Sequence, residues 1–308
     1  MGKPVQAAKL LKGYFYIIIS AVIYGCMPLM AKFIYADGAN SVTLVFLRNL
    51  LALPMLLVLA LKQSKTLRVP LKALPSLAVL AFLGCSITPV LLFSSYHYMA
   101  SGTATVLHFV YPALVVLGGI LFLRERIVPG NLLCVVLCLV GIGLFYSPGE
   151  PLDWRGSLCA LSSGLTFACY VLLLPRFRYR QVNGLLLSFY IALISSGIML
   201  LFCLLSGQLQ LPRSLTGWGL CLLFAITVTG VAVVLFQLGT FLIGAQRASI
   251  LSTLEPITSV IVGILVFREP VNARTVIGSV LVITASILIA LMGAKKQKPV
   301  EEPDSTVS

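Results

Sequence analysis

Apolar runs of about 20 residues succeed one another along most of this 308-residue chain, and that pattern restricts the fold more than any motif does. At about 1.5 Å of helical rise per residue, each run is long enough to cross roughly 30 Å of hydrocarbon. Bounded by charge, Pro or Gly, the runs fall near 13–34, 41–61, 73–93, 102–123, 128–146, 156–174, 184–206, 216–238, 246–267 and 272–292. A water-soluble fold has nowhere to put so much apolar surface: 59% of residues are hydrophobic and 10% charged, against about 25% charged in ordinary soluble domains. The predicted class is therefore an all-α integral membrane protein with ten transmembrane helices.

The net charge of +13 invites a nucleic-acid reading, but Lys and Arg lie between the apolar runs rather than on one soluble face. No nucleic-acid partner is expected, and the excess is read as topology. Cytoplasmic connections retain positive charge. Sixteen of the 22 basic residues fall on the N-terminal side of the alternation, among them Lys9, Lys12, Lys62, Lys65, Arg126, Arg178, Arg180 and Lys295. Lys32, Arg155, Arg213, Arg268 and Arg274 fall on the other side, and Arg48 lies within the second span. Both termini are thus expected in the cytoplasm.

All eight cysteines sit inside predicted spans, where thiols serve mostly as small apolar fillers. Cys134 and Cys138 are one turn apart, yet no His or carboxylate follows at ligand spacing, so no metal is expected. The first run, after Lys3, Lys9 and Lys12, mimics a signal peptide, but it continues past Cys26 without a small-x-small cleavage site and reads as the first span. No nucleotide-binding loop is present, and neither ATP-driven pumping nor a cofactor is expected.

An internal repeat organises the rest. Ala104 to Glu125 reads ATVLHFVYPALVVLGGILFLRE, and 144 residues later Ala248 to Glu269 reads ASILSTLEPITSVIVGILVFRE. Pro112 falls on Pro256, Gly119 on Gly263, Arg124 on Arg268 and Glu125 on Glu269. Both halves open alike, Lys12-Gly13 and Arg155-Gly156, each with a serine seven residues on, Ser20 and Ser163. Five spans per half is odd, so the second half enters the membrane from the opposite side. Such inverted repeats characterise secondary transporters, because exchanging the conformations of the halves turns an inward-open state into an outward-open one.

The fourth span with its closing Arg124-Glu125-Arg126, and the ninth with Leu254-Glu255-Pro256 and Arg268-Glu269-Pro270, resemble the EamA-type members of the drug/metabolite transporter superfamily. The likeness covers about residues 13–292. It implies two inverted five-helix repeats, 13–146 and 154–292, flanked by a cytoplasmic N-terminus (1–12) and a disordered cytoplasmic tail (293–308) that carries Pro299 and Pro303. It also implies a central cavity, alternating access and, in bacterial members, the cytoplasmic membrane.

Several residues are candidates for the mechanism. Glu255 lies about nine residues into the ninth span, where a carboxylate is costly and must face a partner or a wet cavity. Ser252 and Ser259, at i−3 and i+4, extend it into a polar stripe. Functionally it would bind a substrate amine or carry a coupled proton; structurally it would accept hydrogen bonds near the Pro256 break. Its repeat partner is Tyr111, with His108 and Thr105 on the same face; an imidazole titrates near working pH and is the second candidate for proton coupling. Arg48, seven residues into the second span, is shallow enough to snorkel outward; functionally it would bind a carboxylate or phosphate, structurally it would anchor or pack the helix, and the resemblance, whose members commonly carry Arg near this point, favours the structural role. His97, between Tyr96 and Tyr98, reads as an interfacial belt residue. Pro28, Pro54, Pro89, Pro112 and Pro256 each remove a helix hydrogen bond, and the equivalence of Pro112 and Pro256 points to the central site. Ser20 and Tyr24, Ser163, Thr166 and Tyr170, and Gln237 supply helix-joining hydroxyls or a mildly polar cavity.

The combined expectation is a secondary transporter, not an enzyme, exporting a small neutral or zwitterionic metabolite such as an amino acid. The substrate would be contacted by Tyr24, His108, Tyr111, Tyr170 and Glu255, with the lipid bilayer as surroundings and a proton as the coupling partner under consideration. The alternatives are a multidrug or hydrophobic-compound carrier or a sugar-type carrier of the same superfamily, or a passive channel. Substrate identity, direction, coupling ion and oligomeric state stay open on sequence.

Overall fold

The computed structural model describes residues 3–63, 67–99, 101–124, 129–144, 153–177, 182–267 and 273–295. Lys65, the motif residues Glu125, Arg126, Arg268, Glu269 and Pro270, the basic Arg178 and Arg180, and the tail from residue 296 lie outside the described residues. Among the described residues every regular element is helical. The passes are α1 (Lys3–Ala36), α2 (Ser41–Gln63), α3 (Leu71–Ser95), α4 in two pieces (Ser101–His108 and Tyr111–Leu123) and α5 (Pro129–Gly143). They continue as α6 (Trp154–Arg176), α7 (Gly184–Ser206), α8 (Leu215–Ile243), α9 in two pieces (Ala245–Leu251 and Leu254–Phe267) and α10 (Ala273–Lys295).

Six of these helices, α1, α2, α3, α6, α7 and α8, are individually long and apolar enough to span a bilayer. Helices α4 and α9 are interrupted midway. Helix α1 begins at Lys3, ten residues before its apolar run, and at 34 residues it is about 50 Å long, longer than the hydrocarbon is thick.

The distribution of surface is that of a protein whose solvent is lipid. Large apolar side chains such as Phe15, Leu121, Phe122, Leu205 and Val280 point outward, while Ser20, Asn49, Ser86, Ser163, Ser195, Gln237, Thr240 and Thr253 are buried. The buried polar groups join helices. Ser86 meets Ser195 at 2.8 Å across α3 and α7, Thr88 meets Thr166 at 2.6 Å across α3 and α6, and Asn131 donates to Gln246 at 2.6 Å across α5 and α9. Interhelical hydrogen bonds of this kind contribute about 0.6 kcal/mol each, so they set register while close packing supplies most of the association.

The helix contacts follow the inverted repeat. Helix α1 packs on α8 and α9, and its counterpart α6 packs on α3 and α4; α2 packs on α7, and α5 on α10. Asn40 caps α2 by accepting from Thr43 N at 2.8 Å, and Asn183 caps α7 by accepting from Leu186 N at 2.9 Å, the same device in each half.

The halves share a feature that apolar patterning does not reveal. The middle of α3, Ala81–Ile87, and the middle of α8, Ala225–Val233, are wound as π-helix, and they begin 144 residues apart. A π turn leaves a carbonyl without its usual intrahelical partner. Asn49 Nδ2 of α2 donates to Cys85 O at 3.1 Å, and Ser20 Oγ of α1 donates to Ala232 O at 2.8 Å, so a crossing helix satisfies a carbonyl in each π segment.

Of the five prolines expected to interrupt spans, Pro28 and Pro54 lie within unbroken helices. Pro89 opens the α-helical turn that follows the π segment of α3, and Pro112 and Pro256 follow complete breaks.

Candidate functional site

The two breaks occupy equivalent positions. Helix α4 stops at His108 and restarts at Tyr111; α9 stops at Leu251 and restarts at Leu254, with Pro112 and Pro256 immediately after. Proline has no N–H and cannot bond back to the carbonyl four residues earlier, here His108 O and Ser252 O. At the second break Glu255 N donates to Ser252 O at 2.9 Å in the tighter three-residue manner.

A glycine of a crossing helix lies against each break. A Cβ at Gly164 of α6 would come within 2.7 Å of His108 O, and one at Gly25 of α1 within 2.8 Å of Glu255 O. Only glycine lets those helices approach bare backbone so closely.

Around the first break the side chains form an aromatic wall. The His108 and Tyr111 rings are 5.3 Å apart, Tyr111 meets Phe167 edge-on at 4.8 Å, and Phe167 stacks on Tyr170 at 5.7 Å and lies 5.5 Å from Phe236. Such contacts contribute about 0.5–1.5 kcal/mol each beyond area burial. His108 Nδ1 lies 2.8 Å from Ser163 Oγ. The Ser163 hydroxyl donates to Ala160 O at 2.6 Å, which fits an imidazole that donates from Nδ1 and keeps Nε2 as the acceptor. Tyr170 is held by Gln237 Nε2, which donates to its hydroxyl at 2.9 Å, while Ser188 Oγ donates to Gln237 Oε1 at 2.6 Å.

At the second break Glu255 is 9% exposed, and its carboxylate has no hydrogen-bond or ion-pair partner among the described residues. Tyr111 lies beside Ser252 and within the electrostatic reach of Glu255 and Tyr24. Tyr24, half-buried on α1, feels both Glu255 and Arg48. The five residues read from sequence, Tyr24, His108, Tyr111, Tyr170 and Glu255, therefore face one region enclosed by α1, α4, α6 and α9. The side chain of Ser259 lies outside the described residues.

Arg48 does not snorkel. It is 3% exposed and faces Tyr24, Tyr35, Cys85 and Tyr170, because it lies on the buried face of α2, which packs on α7 and α8, while Leu50, Val58 and Leu61 of the same helix are exposed. Depth in a span, on which the snorkelling expectation rests, does not say which face of a helix meets lipid. His97 stacks on Tyr35 at 5.5 Å, tying the end of α3 to the end of α1.

Phe167 and Phe236 were not singled out from sequence. The offset that relates Ser20 to Ser163 also relates Tyr24 to Phe167, and that correspondence was the available signal. Phe236 carried none beyond being apolar.

The model of the EamA-like transporter family matches residues 11–147 and again 154–291. An uncharacterised transporter of Archaeoglobus fulgidus is 26% identical over 274 residues, covering 89% of this chain and 94% of that protein. An uncharacterised inner membrane transporter of Salmonella typhimurium, YicL, is 26% identical over 304 residues, covering 93% and 98%. A protein of solved crystal structure superposes with a TM-score of 0.75 over 94% of this chain and 98% of its own, at 16% identity, a likeness of fold.

Proposed function

The chain belongs to the EamA-like transporter family, and from that premise we propose that this multi-pass membrane protein is a secondary transporter that exports a small neutral or zwitterionic metabolite, such as an amino acid, by alternating access. In this reading it lies in the cytoplasmic membrane with both termini inside, its halves 13–146 and 154–292 rock about the paired breaks, and Tyr24, His108, Tyr111, Tyr170 and Glu255 contact the substrate.

The observation that carries the reading is Glu255. A charged group at the centre of a membrane helix costs about 2.5–3.5 kcal/mol even on permissive scales, and this carboxylate has no partner among the described residues. A substrate ammonium or a proton neutralises it, and the two compete for the same oxygens. Substrate carried outward and a proton carried inward on one carboxylate would constitute antiport, with Glu255 never crossing as a bare charge. His108, whose Nδ1 is engaged with Ser163, serves better as a wall and an Nε2 acceptor than as an independent proton carrier.

The test is counterflow into proteoliposomes loaded with unlabelled amino acids, sugars and nucleosides. Saturable exchange of one class, lost or freed of its pH dependence in Glu255→Gln, supports the reading. Exchange with unchanged pH dependence in that variant refutes the role of Glu255. Flux without saturation would favour a channel.

A further inference from the structure

Arg48 is the second buried charge with no counter-ion among the described residues. It is the eighth residue of α2 and 97% buried, and its Nε has no hydrogen-bond partner. No carboxylate among the described residues forms an ion pair with it. A guanidinium does not escape by deprotonating. Its neighbours are neutral: the Tyr24, Tyr35 and Tyr170 phenols and the Cys85 thiol. The Tyr35 hydroxyl also lacks a hydrogen-bond partner, so unmet polar groups gather on this side of the site. Buried charges are ordinarily paired, and a planar fork of five donors is suited to binding a carboxylate with two parallel hydrogen bonds.

Arg48 and Glu255 are not paired with each other. Tyr24 is within the electrostatic reach of both the cation on α2 and the anion on α9, and Tyr170 is within that of Tyr24 and Arg48 and stacks on Phe167.

We propose that Arg48 is the carboxylate-binding residue of the site, so that the transported molecule carries both charges: a free amino acid held by its carboxylate at Arg48 and by its ammonium at Glu255. The proposal rests on the reading that Glu255 and Tyr24 line the substrate site. A polyanion is disfavoured, because one guanidinium would face several charges with a carboxylate close by. A lipid headgroup is disfavoured because Arg48 is enclosed by the bundle.

The experiment is counterflow by the full chain, comparing each amino acid with the amine that lacks its carboxylate and with its carboxamide, in wild type, Arg48→Gln and Arg48→Lys. Wild type is expected to prefer the amino acid over the amine by about ten-thousandfold, the scale at which a site built to hydrogen-bond a group rejects an analogue lacking it. Arg48→Gln should abolish that preference, retaining exchange of the amine, and Arg48→Lys should restore part of it, since it keeps the charge without the fork. The comparison of analogues in wild type stands even if a variant fails to fold. Equal exchange of amine and amino acid by wild type overturns the role of Arg48 while leaving that of Glu255 intact, as does unchanged amino-acid KM in Arg48→Gln. Absence of exchange for the whole panel overturns both.

Discussion

Tyr170 can occupy its place because Gly84 carries no side chain. A Cβ at position 84 would fall within the contact distance of three carbons of the Tyr170 ring, and the ring cannot slide away because Gln237 holds its hydroxyl. Gly84→Ala is therefore expected to cost about 1–3 kcal/mol, the usual range for overpacking a filled core, seen as a lower midpoint in thermal unfolding of the detergent-solubilised protein. Tyr170→Phe should cost less, on the order of 1 kcal/mol, the loss of one buried hydrogen bond. At this scale the sequence exposed the charged residues well. Glu255 stood out because carboxylates inside apolar runs are expensive. The orientation of Arg48 is not legible, since one helix carries lipid-facing and interior faces at the same depth, whereas Phe167 is legible as the repeat equivalent of Tyr24.

At the scale of the element, the two broken helices are the structural signature of the site. Proline after each break prevents the chain from closing a regular helix through His108–Tyr111 and Leu251–Leu254. Proline in the interior of a continuous helix costs about 3 kcal/mol, whereas in the first turn of a helix it is tolerated. Pro256, in the first turn after its break, carries no such penalty, so Pro256→Ala is expected to move the thermal midpoint little while lowering the maximal exchange rate, as a continuous α9 draws the backbone beside Glu255 back into intrahelical bonds; an unchanged rate would mean that the break is incidental. The positions of both breaks were readable from the paired prolines in the aligned repeats. The π segments of α3 and α8 were not, because a wide turn depends on a neighbouring helix offering a donor, as Asn49 and Ser20 do, and apolar periodicity carries no trace of that.

Across the whole molecule, hydrogen bonds join the α1–α2 turn of one half to the α7–α8 turn of the other. Asn40 Nδ2 and Thr43 Oγ1 both donate to Gln208 O, at 2.8 and 3.1 Å, and Gln210 N donates to Thr43 Oγ1 at 2.9 Å. Asp37 accepts from Ser214 N at 3.0 Å at the N-terminus of α8, where the helix dipole favours an anion. A Cβ at Gly217 would fall on the Asp37 carboxylate, so glycine is required there. Hydrogen bonds from Ser214 hold the Asp37 carboxyl below its usual range. A depressed pKa means that its contribution is present above the ordinary carboxylate value of about 4 and is lost as pH falls through the lowered one. The difference in thermal midpoint between wild type and Asp37→Asn should accordingly be full at neutral pH and vanish in acid. The inverted architecture was legible in the sequence from the repeat and the odd number of spans, whereas this fastening depends on turns from different halves meeting, which no local pattern announces.

Under alternating access, substrate passes only when the face carrying these turns opens in alternation with the other. The most direct measurement places cysteines at Asn40 and Gln208 in a background with the native cysteines replaced, oxidises them to a disulfide in proteoliposomes, and follows exchange, with each single-cysteine variant treated alike as the control. Alternating access is expected to show exchange abolished in both directions on oxidation and restored by reductant. Exchange that continues through the cross-linked protein would contradict it.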